Sequence, residues 1–345
     1  MEPAKRIHFV KRSDPTESTI PNKTRQTRIP YLLLLPLAIL TPLFFLGGPH
    51  YYSPHYLKKI WNLGHILYFS LFALFVRHYT QKQAMRFYIL ALLILGLTFF
   101  IGIPIELIQA NFHRTPDIGD LFRNLIGAMV GISFLLPERK TLPKPFDLSL
   151  KTITIALVLL QLYPIVTACT DAYLANSRFP ILSDLETPFE LERWATNTDI
   201  RITDAIRHSG RHSLKIELKT TLYSGVVLEE FKKNWESYRW FQFSAYNPSA
   251  RPITITCRIN DRRHVIGPQN YNDRFNRRYT LPQGWSTILI DLKDVRNAPS
   301  QRQMDMRHIK GIGFYATKLK KPHILYIDDV KLSNGPEQAP SRHKP

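Results

Sequence analysis

The sequence predicts a chain in two unlike parts: an α-helical membrane bundle of about five transmembrane helices, followed by an all-β sandwich of the jelly-roll type. Three observations predict it. Nearly all the long apolar runs lie before Asp171. The loops between those runs alternate in their content of Lys and Arg. Beyond Leu182 the pattern changes to short segments of period two separated by turn residues. The mean hydropathy of −0.17 averages these two halves and describes neither.

The elements follow in order. Residues 1–28 are polar and basic, with no hydrophobic periodicity, and are expected to form a disordered cytoplasmic tail. Apolar runs cover Ile29–Leu46, Ile60–Val76, Phe87–Ile105, Leu121–Leu136 and Ile153–Ala168. Each is close to the roughly 20 residues a helix needs to cross ~30 Å of hydrocarbon, so a transmembrane domain is expected over residues 29–170. The first run lies far from the N-terminus and is not followed by a small-x-small cleavage site, so it is expected to stay as an anchor. Basic residues crowd the tail (Lys5, Arg6, Lys11, Arg12), the second loop (Arg77, Lys82, Arg86) and the fourth loop (Arg139, Lys140, Lys144, Lys151). The first loop has only Lys58 and Lys59, and the third only Arg114. This alternation predicts a cytoplasmic N-terminus and a C-terminal domain outside, periplasmic or extracellular if the bilayer is a bacterial inner membrane.

From 182 to 332 the strands read clearly. Ser213-Leu-Lys-Ile-Glu-Leu218, Ile253-Thr-Ile-Thr-Cys-Arg-Ile259 and Trp285-Ser-Thr-Ile-Leu-Ile-Asp-Leu292 alternate, and Gly210, Asn247-Pro248, Gly267-Pro268 and Gly284 mark turns between strands. Such a sandwich has its own core and is expected to fold as a unit. Residues 333–345 are a polar, Pro-containing tail, expected to be disordered.

A net charge of +19 raises the question of nucleic acid. The basic residues are spread over the chain and many lie in loops between apolar runs, which favours membrane topology and a solvated surface over a nucleic-acid partner. The two cysteines, Cys169 and Cys257, form no CxxC or His/Cys pattern and do not suggest a disulfide. There is no nucleophile elbow, P-loop, HExxH or GxGxxG, so a soluble enzyme has little support.

The most informative segment runs from Pro104 to Gly127. Glu106 and Gln109 share a helix face, and Pro104 just before them is expected to kink that helix. Asp117, Asp120 and Asn124 are spaced by three and then four residues, continued by Gly127 and Gly131, small residues that let a helix approach. Arg114 lies in the connecting loop and His65 near the outer end of its own helix. Polar groups at membrane depth are costly unless paired. Two readings stay open: a functional site, or an Arg–carboxylate clamp that only holds the hairpin.

These residues, with Tyr68-Phe69 after His65 and the string Ile105-Glu106-Leu-Ile-Gln109, Arg114, Asp117, Asp120, Asn124, Gly127, resemble the VanZ-like membrane proteins over about residues 57–137. One departure is Trp61-Asn62 before His65, where members of that family often carry an acidic or Asn-Lys pair. The resemblance implies a cell-envelope role linked to glycopeptide-antibiotic tolerance, and it supplies no reaction.

In the C-terminal part, Glu186-Thr-Pro-Phe-Glu-Leu-Glu-Arg-Trp194, Gly210-Arg-His-Ser-Leu-Lys215 and Leu325-Tyr-Ile-Asp-Asp-Val-Lys-Leu332 resemble galactose-binding-like and carbohydrate-binding-module jelly rolls. Sugar recognition needs flat aromatic platforms beside planar polar groups. Trp235 and Tyr271 with Asp261, Arg262, Asn272, Asp273 and Arg274 are the expected glycan ligands, whereas Trp240 and Trp285, inside strands, are expected in the core. The resemblance also points to a structural calcium on Glu186 with Asp328 or Asp329. The sequence thus predicts a non-enzymatic envelope protein whose partners are the bilayer and an envelope or lipid-linked glycan. The alternative is a membrane-embedded enzyme or transporter that works on a lipid-linked or phosphorylated substrate through Glu106, Arg114, Asp117 and Asp120.

Overall fold

The structure, a computed structural model, describes residues 28–46, 48–49, 53–109 and 117–335. The N-terminal tail, Arg114 and most of the C-terminal tail lie outside the described residues. Two compact units are present: residues 1–48 with 62–156, and residues 49–61 with 157–345.

The first unit is helical. Helix α1 (Arg28–Leu40) passes into a 3₁₀ turn, Thr41–Phe44. There follow α2 (His55–Thr80), α3 (Phe87–Gln109), α4 (Ile118–Val130, continued as a π turn to Leu135) and α5 (Lys144–Ser177), of which the start of α2 and the second half of α5 belong to the other unit. Four stretches are long and apolar enough to cross a membrane: His55–Gln83, Phe87–Gln109, Ile118–Leu135 and Lys144–Ser177. The expected span Ile29–Leu46 gives only a shorter apolar helix among the described residues, Leu34–Phe44. At Pro42, which has no amide hydrogen to extend the α-helical ladder, the chain tightens into the 3₁₀ turn. Helix α3, by contrast, runs through Pro104. Its side chains Leu92, Phe100 and Leu107 stand exposed, as those of a helix facing lipid would.

Inside this unit Phe69, Ala73 and Val76 of α2 pack with Leu90 and Ile94 of α3 and Ala128 and Ile132 of the α4 segment. Helices α2 and α4 meet almost backbone to backbone. A Cβ on Gly127 would lie 2.5 Å from the Ile66 carbonyl oxygen, and one on Gly131 2.4 Å from the Ala73 Cβ. Gly127→Ala is therefore expected to destabilise the protein by about 1–3 kcal/mol through overpacking. The check is its melting temperature in detergent; an unchanged value would mean that the two helices do not approach this closely.

The second unit is the sandwich. One sheet has the order β3 (Asp199–Thr203), β4 (Ser213–Leu218), β11 (His323–Ser333), β6 (Trp240–Asn247), β9 (Gly284–Asp291), with β1 (Ile181–Ser183) also paired to β11. The other has the order β2 (Trp194–Thr196), β5 (Tyr223–Leu228), β10 (Ile309–Thr317), β7 (Ile253–Asp261), β8 (Phe275–Leu281). Every pairing is antiparallel. Period-two alternation places Ile216, Phe241, Phe243, Ile255, Ile312 and Phe314 in the shared core. Cys257 is buried there and Cys169 is exposed; both are free thiols.

Sequence expectation and structure exchange places at the tryptophans. Trp235, expected as a sugar platform, is fully buried and stacked on Phe241 at 5.5 Å. Its Nε1 donates to the Lys232 carbonyl, and the loop before β6 folds it into the core. Trp240 and Trp285, expected in the core, are half-buried. In β6 the core side belongs to Phe241, Phe243 and Ala245, so Trp240 faces outward. Trp285 lies beside Tyr246, its register partner, at 5.3 Å.

Candidate functional site

Helices α2, α3 and α4 bring together most of the polar groups that the sequence singles out. His65 Nδ1 lies 2.8 Å from Asn124 Oδ1. That oxygen only accepts, so Nδ1 donates, and His65 Nε2 lies 3.4 Å from Asp120 Oδ2. Asp120 Oδ1 accepts from Arg123, whose guanidinium also reaches Asp117 Oδ2 at 3.2 Å. Glu106 Oε2 accepts the Asp117 amide at 3.0 Å. His65, Glu106, Asp120 and Asn124 are all buried. Gly102 makes room for this on α3: a Cβ there would stand 3.0 Å from Asn124 Nδ2.

Two expected roles change. Asp117 shares no helical face with Asp120 and Asn124, because it is the N-cap of α4 and its Oδ1 accepts from the Gly119 amide at 2.8 Å. Gln109 turns away from the acids and donates to the Phe44 carbonyl at 3.1 Å, tying α3 to the 3₁₀ turn. Arg114 lies outside the described residues. Arg123 is the cation that joins the two aspartates.

One ligand atom each from His65, Glu106 and Asp120 lie within 4.8 Å of one another. One nitrogen and two oxygens make a donor set that suits zinc or manganese. Arg123 already neutralises Asp120, so the cluster also closes on itself by ion pairing.

The sandwich carries a second candidate, a cleft of about 750 Å³ on the outer face of the sheet β2-β5-β10-β7-β8. Its floor includes two glycines, Gly225 of β5 and Gly311 of β10. A Cβ on Gly313 would lie 3.3 Å from the Arg258 Nε, so the absence of a side chain lets that guanidinium lie over the strand. Tyr223, Tyr271 and Tyr315 line the cleft with Asn260 and Arg274. Tyr223 and Tyr315 rings lie 6.0 Å apart, and the Arg274 guanidinium sits 5.5 Å from the Tyr271 ring centre. Burial pushes the Tyr315 hydroxyl up from its ordinary range.

Of the expected glycan ligands, Tyr271 and Arg274 reach this cleft. Asp261 and Asp273 are engaged elsewhere. Arg302 forks onto both, at 2.6 and 2.9 Å from Asp261 and 2.6 and 2.9 Å from Asp273. Asp261 also accepts the amides of His264 at 2.9 Å and Asp305 at 2.7 Å. Burial pushes the Asp261 carboxyl up, but Arg302 and these amides more than offset it and hold it below the usual carboxylate range. Arg302 likewise lowers Asp273. Asn272 gives its carbonyl to the Ser300 amide, and Arg262 is exposed on the short helix α6 (Arg262–Ile266).

The expected calcium ligands also have other duties. Glu186 Oε1 accepts the amides of Arg211 at 2.7 Å and His212 at 3.1 Å. Gly210, at φ +57°, is required there, since a Cβ would lie 2.3 Å from that oxygen. Asp328 Oδ2 accepts the amides of His208 at 2.8 Å and Ser209 at 3.0 Å, and Asp329 accepts from Gln242. Glu186 and Asp328 thus hold the 208–212 loop through its backbone amides. Among the described residues the potential metal-binding group is His65, Glu106 and Asp120.

No curated protein matches the chain in sequence. The sandwich is similar in structure to the family 11 carbohydrate-binding module of a cellulosomal cellulase of Clostridium thermocellum, at 17% identity and a TM-score of 0.35, over 46% of this chain and 95% of that one. The same family 11 module in complex with a β-1,3-1,4-mixed-linked tetrasaccharide gives 18% identity and 0.36 over 46% and 96%. The CBM22-2 xylan-binding domain from Paenibacillus barcinonensis gives 19% and 0.31 over 45% and 99%. Residues 6–137, less than half of the chain, match the family model VanZ/LLP1, so this segment is similar to that family.

Proposed function

We propose that this is an envelope protein of a bacterial inner membrane that displays a glycan-binding module on the outer side. The reading is carried by the cleft: tyrosines stand over a glycine floor, flanked by planar polar groups, in a volume of about 750 Å³. Flat aromatic faces with a few directional polar groups are what a saccharide ring needs. The alternation of Lys and Arg between the loops supports a cytoplasmic N-terminus and an outer sandwich. Full-length protein in detergent is expected to bind envelope polysaccharides, and Tyr271→Ala with Tyr315→Ala to weaken that binding by at least about tenfold, the scale of two lost ring contacts. Undiminished binding by the double variant would sink this reading of the cleft.

A second reading rests on the buried His65–Asn124–Asp120 relay beside Glu106. In it the membrane part is an enzyme or transporter for a lipid-linked or phosphorylated envelope substrate, with a carboxylate as base or as ligand to a divalent ion. Turnover of lipid-linked glycan precursors by the purified protein would favour this reading; its absence would leave the binding role alone. A link to glycopeptide tolerance belongs to either reading.

A further inference from the structure

Within the cleft, the cations are not equivalent. Three of the half-buried or buried guanidinium groups hold a carboxylate: Arg178 pairs with Asp184 at 3.1 Å, Arg193 with Asp171 at 2.7 Å, and Arg302 with Asp261 and Asp273 at 2.6 Å. Arg258 and Arg274 are different. Both are half-buried, the Nε of each is shielded from solvent without a hydrogen-bond partner, and neither forms an ion pair with a described residue. They lie close enough that the charge of Arg274, after burial itself, pushes Arg258 down from its ordinary range. Two like charges lining one half-buried cleft repel each other and lose hydration. The arrangement becomes favourable when an anion bridges them, because a guanidinium fork matches the two oxygens of a carboxylate or sulfate.

We propose that the cleft selects an acidic saccharide, with the carboxylate or sulfate of one sugar seated between Arg258 and Arg274 and the ring against Tyr271 or Tyr315. This rests on the glycan reading of the cleft and narrows it to a ligand class. Gly313 has a part in it, because a Cβ there would stand 3.3 Å from Arg258 Nε and press on the guanidinium. Lys233 and Lys310 also line the cleft, against Glu229 and Glu230, so the local field favours an anion as well.

The test is calorimetric titration of full-length protein in nanodiscs of zwitterionic lipid. Four probes are compared: an oligogalacturonate, a neutral mixed-linked β-glucan tetrasaccharide, polyglutamate and a single-stranded oligonucleotide. The oligogalacturonate is expected to bind best. Its affinity should fall at least about tenfold in Arg258→Gln/Arg274→Gln, the scale of one lost charge-assisted pair. It should also fall as salt rises from about 50 to about 500 mM, as screening requires. The salt series on unaltered protein decides the matter if the double variant does not fold. Tight binding of the neutral tetrasaccharide without the acidic one would overturn this inference and leave the glycan cleft standing. Binding of no saccharide would remove both. Equal binding of polyglutamate or the oligonucleotide would make the pair a general polyanion site and overturn the inference.

Discussion

Arg302→Ala is expected to cost about 3–5 kcal/mol of stability, the range for a buried carboxylate that loses its cation. The Asp261 side chain has no exposed surface, and Arg302 bonds both of its oxygens while holding Asp273 with its remaining donors. Removal of the guanidinium leaves Asp261 with two backbone amides and Asp273 with His264. The effect has a pH signature. Both carboxyls are depressed in the folded protein, so their contribution is whole above the unfolded value near 3.9 and is lost as pH falls through the lower folded value. The gap in melting temperature between wild type and variant should therefore be full at neutral pH and shrink below about pH 4. Arg302 also fixes the segment that carries Tyr271 and Arg274 to the cleft, so saccharide affinity should fall with stability. A loss under about 1 kcal/mol would show that the network is exposed enough for water to replace it.

The strand pattern was legible because one face of each strand is buried, which writes burial into the sequence with period two: Leu214, Ile216 and Leu218 inward, Lys215 and Glu217 outward. Helices α2 to α5 were legible from length and apolarity alone. What stayed hidden depends on neighbours that are remote in sequence. Trp235 lies in a loop that folds into the core, and nothing local distinguishes a buried loop tryptophan from a platform. Asp261 and Arg302 stand 41 residues apart, so the carboxylate read as a ligand while its cation went unnoticed. Gly311 and Gly313 did leave a signal, a small-x-small step in a core strand, where Gly311 opens the cleft and Gly313 makes room for Arg258. Of the membrane cluster, helical spacing brought His65, Glu106, Asp120 and Asn124 together, whereas Gln109 turned to the Phe44 carbonyl and Arg114 lies outside the described residues. Asp117 was misplaced there since a cap residue lies just outside the helix whose periodicity was counted.

Glu106→Gln is expected to leave the protein folded and abundant while abolishing its envelope phenotype, for example a change in glycopeptide sensitivity. The argument separates shape from charge. Glu106 Oε2 accepts the amide of the α4 cap residue, and a glutamine carbonyl accepts the same hydrogen bond, so stability should change by no more than about 1 kcal/mol. The charge is a different matter. Beside it, Asn124 holds His65 Nδ1 and turns Nε2 toward Asp120, an orientation that serves a transferred proton or a bound cation and that a simple clamp would not need. Asp120→Ala gives the contrast. It strips Arg123 of its closest partner and removes the acid facing His65, so abundance is expected to fall together with function. If instead an abundant Glu106→Gln protein fully complements a deletion strain, the buried charge has no functional use, and the cluster is a clamp that fastens α4 to α2 and α3.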